Sequence, residues 1–139
     1  SDEGVRVAKL MSLELKKRIP EIDLIVSSAA LRTKETAEIF QKEAFSGITI
    51  RLEKDLYYLQ FTDRFFDFVY GLDKSSNTVL FVGHNPVFSF LAQLLSGDSN
   101  LYLYPGSFLI INSQVEQWTE INSSIVGDIT FVNSKLVQE

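Results

Sequence analysis

The run Thr78-Val79-Leu80-Phe81-Val82, followed at once by Gly83-His84-Asn85-Pro86 and an amphipathic stretch to about Leu95, constrains this chain more than any other feature. Four successive apolar residues without polar alternation describe a strand covered on both faces, the pattern of a buried parallel sheet. The residues after it read as a strand-to-helix junction. Gly83 allows an unusual turn, Asn85 can cap, and Pro86 suits the first helical position.

A second junction of the same kind lies upstream. Asp23-Leu24-Ile25-Val26-Ser27 is short, apolar and partly β-branched, and it ends at Ser28. Ser28 is the expected N-cap of a helix running to about Phe45, with Leu31, Ala37 and Phe40 as its apolar positions. Before it, Ser1, Asp2 and Glu3 supply a cap and first-turn carboxylates for a helix over residues 3 to 18, along which Val7, Leu10 and Met11 recur at helical spacing. Gly47 breaks the chain, and residues 48 to 52 form a strand. The aromatic stretch Leu56 to Tyr70 reads as one helix closed by Gly71. Beyond Gly97, residues 108 to 112, a stretch around Trp118 and residues 129 to 132 read as strands.

Strands alternating with helices predict an α/β fold: a three-layer α/β/α sandwich with a mostly parallel central sheet, built as one domain over residues 1 to 139. The apolar content of 45% suffices for one core. No apolar run approaches the roughly 18 residues of a membrane span, so a soluble protein without membrane partners is expected. A net charge of −5 argues against nucleic acid as a partner, since that binding rests on clustered Lys and Arg. The absence of cysteine excludes disulfides and thiolate chemistry and fits a cytoplasmic location. Because the chain opens with Ser1 directly onto a helix, the native start is expected to lie upstream.

In an open parallel sheet, ligands sit beyond the carboxyl ends of the strands. At the upstream junction Arg32 falls in the first turn of a helix, where a guanidinium can fork onto a phosphate. At the downstream one, His84 lies where free backbone N–H groups and the helix dipole favour an anion. Together they describe a phosphate pocket. Each residue also has an ordinary explanation: Arg32 as a solvated surface residue, His84 as a capping or packing residue. In a flavodoxin-like doubly wound domain the two would never meet. The aromatics between Tyr57 and Tyr70 serve either as core or as a docking surface for a protein.

The segments Ser27 to Ile39, reading S-S-A-A-L-R-T-K-E-T-A-E-I, and Val79 to Leu95, containing V-G-H-N-P, resemble the second and third signature segments of the histidine phosphatase (phosphoglycerate mutase-like) superfamily. The likeness is greatest to its short bacterial branch, the SixA-type phosphohistidine phosphatases. Ser1 to Gly4 resembles the segment after the family's first loop, and Tyr104-Pro105-Gly106-Ser107 resembles its late Pro-Thr-Gly-Ala segment more loosely. The resemblance implies a phosphatase acting through a phosphohistidine intermediate on a phosphorylated protein. Arg32 matches the phosphate-clamping arginine and His84 the second histidine at the phosphoryl group. Arg32 and His84 are thus the expected catalytic residues, and Arg32, His84 and Asn85 the expected phosphate-binding set. No metal or cofactor is expected.

The chain departs from the family in two ways. It holds a single histidine, so the first strand, with its Arg-His-Gly motif and nucleophile, is expected to be missing, and residues 1 to 139 alone are expected to be inactive. The stretch Asp55-Leu56-Tyr57-Tyr58 also lacks the glutamate that many relatives use to protonate an ester leaving group. Asp55 is a candidate acid or a capping carboxylate. This favours phosphohistidine, whose imidazole is more easily expelled, over a sugar phosphate. A small-phosphoester phosphatase and a non-catalytic phosphate-binding module of the same fold are the alternatives. Replacing Arg32 by Ala is expected to weaken phosphate or vanadate binding far more than it lowers stability. Parallel calorimetric titration and thermal melts check this, and lost stability with intact affinity would remove Arg32 from the pocket.

Overall fold

The structure is a computed structural model, and it describes residues 1–123 and 126–137. Its elements run α1 (Asp2–Arg18), β1 (Leu24–Ser28), α2 (Leu31–Glu43), β2 (Ile50–Glu53), a 3-10 helix (Lys54–Tyr57), α3 (Phe61–Tyr70), β3 (Val79–Val82), α4 (Val87–Ser96), β4 (Phe108–Asn112), a 3-10 turn (Trp118–Glu120), β5 (Asp128–Val132) and α5 (Ser134–Val137). β1 lies at the centre of a three-stranded parallel sheet ordered β2-β1-β3, while β4 and β5 form an antiparallel pair.

Side-chain alternation along the strands divides the core into two layers. Ile25, Leu80 and Val82 point to the face covered by α1 and α2, where Met11, Leu15, Ala37 and Phe40 are buried. Val26, Val79 and Phe81 point to the opposite face, covered by Phe61, Phe65 and Val69 of α3 and Leu91 and Leu95 of α4. The register pairs Ile25 with Leu80 and Val26 with Phe81, so neighbours in the sheet present matching faces. This is the expected three-layer α/β/α arrangement.

The antiparallel pair belongs to the same middle layer, because Phe108, Ile110 and Val132 join the first apolar cluster and Ile111 and Ile129 join the second. Yet β3 and β4 do not hydrogen-bond to each other. Between them lies a slot of about 930 Å³, lined on one side by Val79, Leu80 and Phe81 and on the other by Leu109, Ile110 and Ile111. β1 is buried along almost its whole length, whereas all four residues of β3 are only half-buried. Two unpaired strand edges thus face each other across an apolar gap. Loop contacts bridge it: the Trp118 Nε1–H donates to the Ser76 carbonyl (2.8 Å) and the Tyr70 hydroxyl to the Ile121 carbonyl (2.7 Å).

Several local expectations are corrected. The Leu56–Tyr70 stretch is divided: Leu56 is fully buried within the 3-10 helix, and α3 starts only at Phe61. Leu56 and Phe61 both need the core, and the break between them lets each reach it from a different direction. Trp118 stands in a 3-10 turn rather than a strand, held by its indole hydrogen bond. α2 begins at Leu31 with Ala30 as N-cap, and the Ser28 hydroxyl accepts from the Ala30 N–H (3.3 Å) without capping the helix. Leu31 is 70% exposed and contributes nothing to the core.

Gly83 is needed for a different reason from the one its neighbours suggest. It is not among the positive-φ glycines. A Cβ at this position would overlap the ring of Phe88, the second residue of α4. The glycine is required by the approach of a ring, not by the turn. Gly83→Ala is therefore expected to destabilise the fold by about 1–3 kcal/mol, the usual cost of overpacking. Urea denaturation checks it, and an unchanged midpoint would show that the Phe88 ring rotates away freely.

Candidate active site

Parallel pairing decides where the site lies. Ser27 is opposite Val82 across the β1–β3 ladder, and Ser28 is opposite Glu53 across β1–β2. All three strands therefore end at one rim, and each leads directly into a helix or helical turn there. Arg32 is the second residue of α2, directly beyond β1, and it is exposed. His84 lies two residues beyond β3 and is half-buried. The two expected phosphate ligands thus leave neighbouring strands at the same edge of the sheet.

The His84 loop is held by a small polar network. Its carbonyl accepts from the Phe88 N–H (3.0 Å), which closes the first turn towards α4. Asn85 Oδ1 accepts from the Ser89 N–H (3.1 Å) and the Ser89 hydroxyl (2.7 Å), although the N-cap position itself falls to Pro86 and not to Asn85 as expected. Asn85 Nδ2 donates to the Leu103 carbonyl (2.6 Å), and the Leu103 N–H donates to Ser89 Oγ (3.0 Å). Gln93 Nε2 adds a bond to the Leu101 carbonyl (2.9 Å). These contacts fasten the segment before β4 against α4. The Asn85 carboxamide is thus occupied chiefly in holding the loop. Pro86 precedes α4, which begins at Val87, and the Asn85–Pro86 peptide bond is cis.

The third strand end supplies a neighbour that sequence reasoning assigned to core or docking surface. Tyr57, at the close of the 3-10 helix after β2, brings its ring to 4.9 Å from the His84 imidazole, at an interplanar angle of 43°. Since β2 and β3 flank β1, this contact crosses the carboxyl end of the central strand. Tyr57 also meets Tyr58 edge-on at 5.3 Å. The signal in the sequence was position: an aromatic a few residues beyond a parallel strand belongs to the same rim as the residues beyond its neighbours. Asp55 is exposed in the same 3-10 helix, where its carbonyl accepts from the Tyr58 N–H (3.2 Å).

One polar atom at the rim stands out. His84 Nδ1 is buried and has no hydrogen-bond partner among the described residues. A buried ring nitrogen without a partner is costly, and native structures hold few. No group of His, Asp and Glu with the geometry to hold a metal ion occurs among the described residues. No described helix is long and apolar enough to cross a membrane.

Solved structures with the same architecture give this rim a family context. One, from Nakamurella multipartitia and provisionally assigned as phosphohistidine phosphatase SixA, superposes with a TM-score of 0.75 at 21% identity, over 94% of this chain and 80% of its own. The two share one fold. A second protein with the same provisional assignment, from Agrobacterium tumefaciens, superposes with a TM-score of 0.61 at 26% identity, over 70% of this chain and 62% of its own. No protein-family model matches this chain, and neither does any curated protein sequence. Loop rigidity in this SixA-like fold is expected to rest on Asn85. Asn85→Ala should cost about 1–3 kcal/mol through the polar groups it leaves unpaired. A chemical-denaturation series checks this, and a change within error would show that the network is dispensable.

Proposed function

We propose that the chain carries the oxyanion-binding half of a phosphatase that removes phosphate from phosphohistidine in a protein, with Arg32 and His84 holding the transferring phosphoryl group. The observation that carries this reading is the shared rim: both residues follow neighbouring parallel strands, in a fold otherwise found in SixA-like proteins. A guanidinium and an imidazole around the equatorial oxygens would stabilise the charge that develops as phosphorus changes partners. Asn85 supports the pocket by fixing the loop that bears His84.

The nucleophile in this reading is a histidine on a strand outside the 139 residues. Its nitrogen attacks phosphorus while the phosphorus–nitrogen bond to the substrate imidazole breaks, and the departing ring takes a proton. Water then attacks the phosphorylated nucleophile, giving inorganic phosphate and the free histidine. Support for such a strand comes from the slot between β3 and β4, where an extended apolar segment would pair with both open edges and complete the middle layer. The unpartnered His84 Nδ1 is a second place where a further group would be accommodated.

A macromolecular substrate is favoured by the rim itself. Leu31, Tyr57, Tyr58 and Leu59 are all about half exposed or more, so an apolar collar stands beside the anion-binding residues. A small phosphoester has no use for such a collar, and Asp55 is the carboxylate at this rim that could protonate its alkoxide. The deciding experiment uses the chain extended upstream, assayed on a phosphorylated histidine carrier and on a panel of phosphorylated metabolites. Turnover of the carrier is expected, and consumption of metabolites alone would overturn the reading. A preparation verified by mass to comprise Ser1 to Glu139 is expected to bind vanadate without turnover, and hydrolysis by it would refute the placement of the nucleophile.

A further inference from the structure

We infer that Tyr57 is a positioning residue that fixes the orientation of the His84 imidazole at the rim. The inference rests on the reading of His84 as a phosphoryl ligand, and it adds a residue which that reading does not require. A histidine that must present one ring nitrogen to a ligand is ordinarily oriented by a hydrogen bond at the other nitrogen. Here Nδ1 is buried and makes no such bond among the described residues. What the imidazole does have is the Tyr57 ring, tilted 43° against it at a centroid distance of 4.9 Å, within the range of a favourable aromatic pair.

Tyr57 is itself held on both sides. Leu56, its neighbour, is fully buried, which pins the 3-10 helix to the core. Tyr58 packs edge-on against it at 5.3 Å, and the Tyr58 N–H closes the turn onto the Asp55 carbonyl. Yet Tyr57 is 52% exposed, so burial of its own ring does not account for its place. Its ring reaches from the end of β2 across the end of β1 to the loop after β3. A rigid arm in that position limits the rotation of His84 without occupying a nitrogen. The contact needs an aromatic face and not the phenolic hydroxyl.

Because the chain contains one histidine, the experiment has a single unambiguous reporter. Imidazole C–H signals are recorded by NMR on the 139-residue chain and on the Tyr57→Phe, Tyr57→Leu and Tyr57→Ala variants. In the parent the tyrosine ring current should displace the signals from free-histidine values, with relaxation showing a restricted ring. Tyr57→Phe should preserve both properties. Tyr57→Leu and Tyr57→Ala should lose the displacement and mobilise the ring with little change in melting temperature, and Leu retains enough apolar bulk to guard against unfolding.

Inorganic phosphate titrated into the same samples should bind roughly two- to tenfold more weakly without the ring, the equilibrium equivalent of one aromatic pair. Unchanged His84 signals and relaxation in Tyr57→Leu would overturn the inference. An ordered imidazole in the parent that never responds to phosphate would instead count against the proposed function, leaving the contact between the rings established.

Discussion

The parallel register of β1 with both neighbours is the constraint from which the remaining structure follows. Pairing of Ile25 with Ile50 and with Leu80 sets three strands side by side in one direction. Parallel strands cannot be joined by tight turns, so each carboxyl end must pass into a crossover helix. The result is a rim at which the chain emerges three times. Chemistry gathers there because that is where side chains from distant parts of the sequence are obliged to start. Arg32, Tyr57 and His84 are brought to one edge by the ladder, before any contact among them is considered.

The other half of the middle layer is less complete. β4 and β5 present side chains to the same two clusters as the parallel strands, and α1 and α4 span both halves. The halves are joined by helices and loop bonds across an apolar slot, whose two sides each carry an open row of backbone donors and acceptors. Such edges pair readily with any extended segment of suitable character. The Asn85–Leu103 and Trp118–Ser76 bonds show how the loops keep the halves in place around the gap.

Much of this was legible in the sequence because the relevant signals are local. The buried strands announced themselves by uninterrupted apolar runs, α1 by its cap and charge pattern, and the shared rim of Arg32 and His84 by their places directly after those strands. What could not be read depends on distant partners. Nothing around Leu56 reveals that it and Phe61 reach the core from separate elements, because the break is imposed by packing. Trp118 has the composition of a strand residue, but a carbonyl more than forty positions away holds it in a turn. Gly83 gave the right residue and the wrong reason, since the ring of Phe88 is visible only in three dimensions. Tyr57 was noticed as an aromatic but not as a neighbour of His84, a relation that exists only once β2 and β3 are known to flank β1.

The functional reading needs the guanidinium of Arg32 and the imidazole of His84 to share one anion. Sheet topology puts their backbones at one rim, in a fold shared with proteins provisionally assigned as phosphohistidine phosphatases. The most direct measurement is a crystal structure of the protein grown or soaked with orthovanadate. A single oxyanion within hydrogen-bonding distance of both the Arg32 guanidinium and a His84 ring nitrogen is the predicted result. Vanadate bound by one of them without the other, or bound away from this rim, would contradict the account.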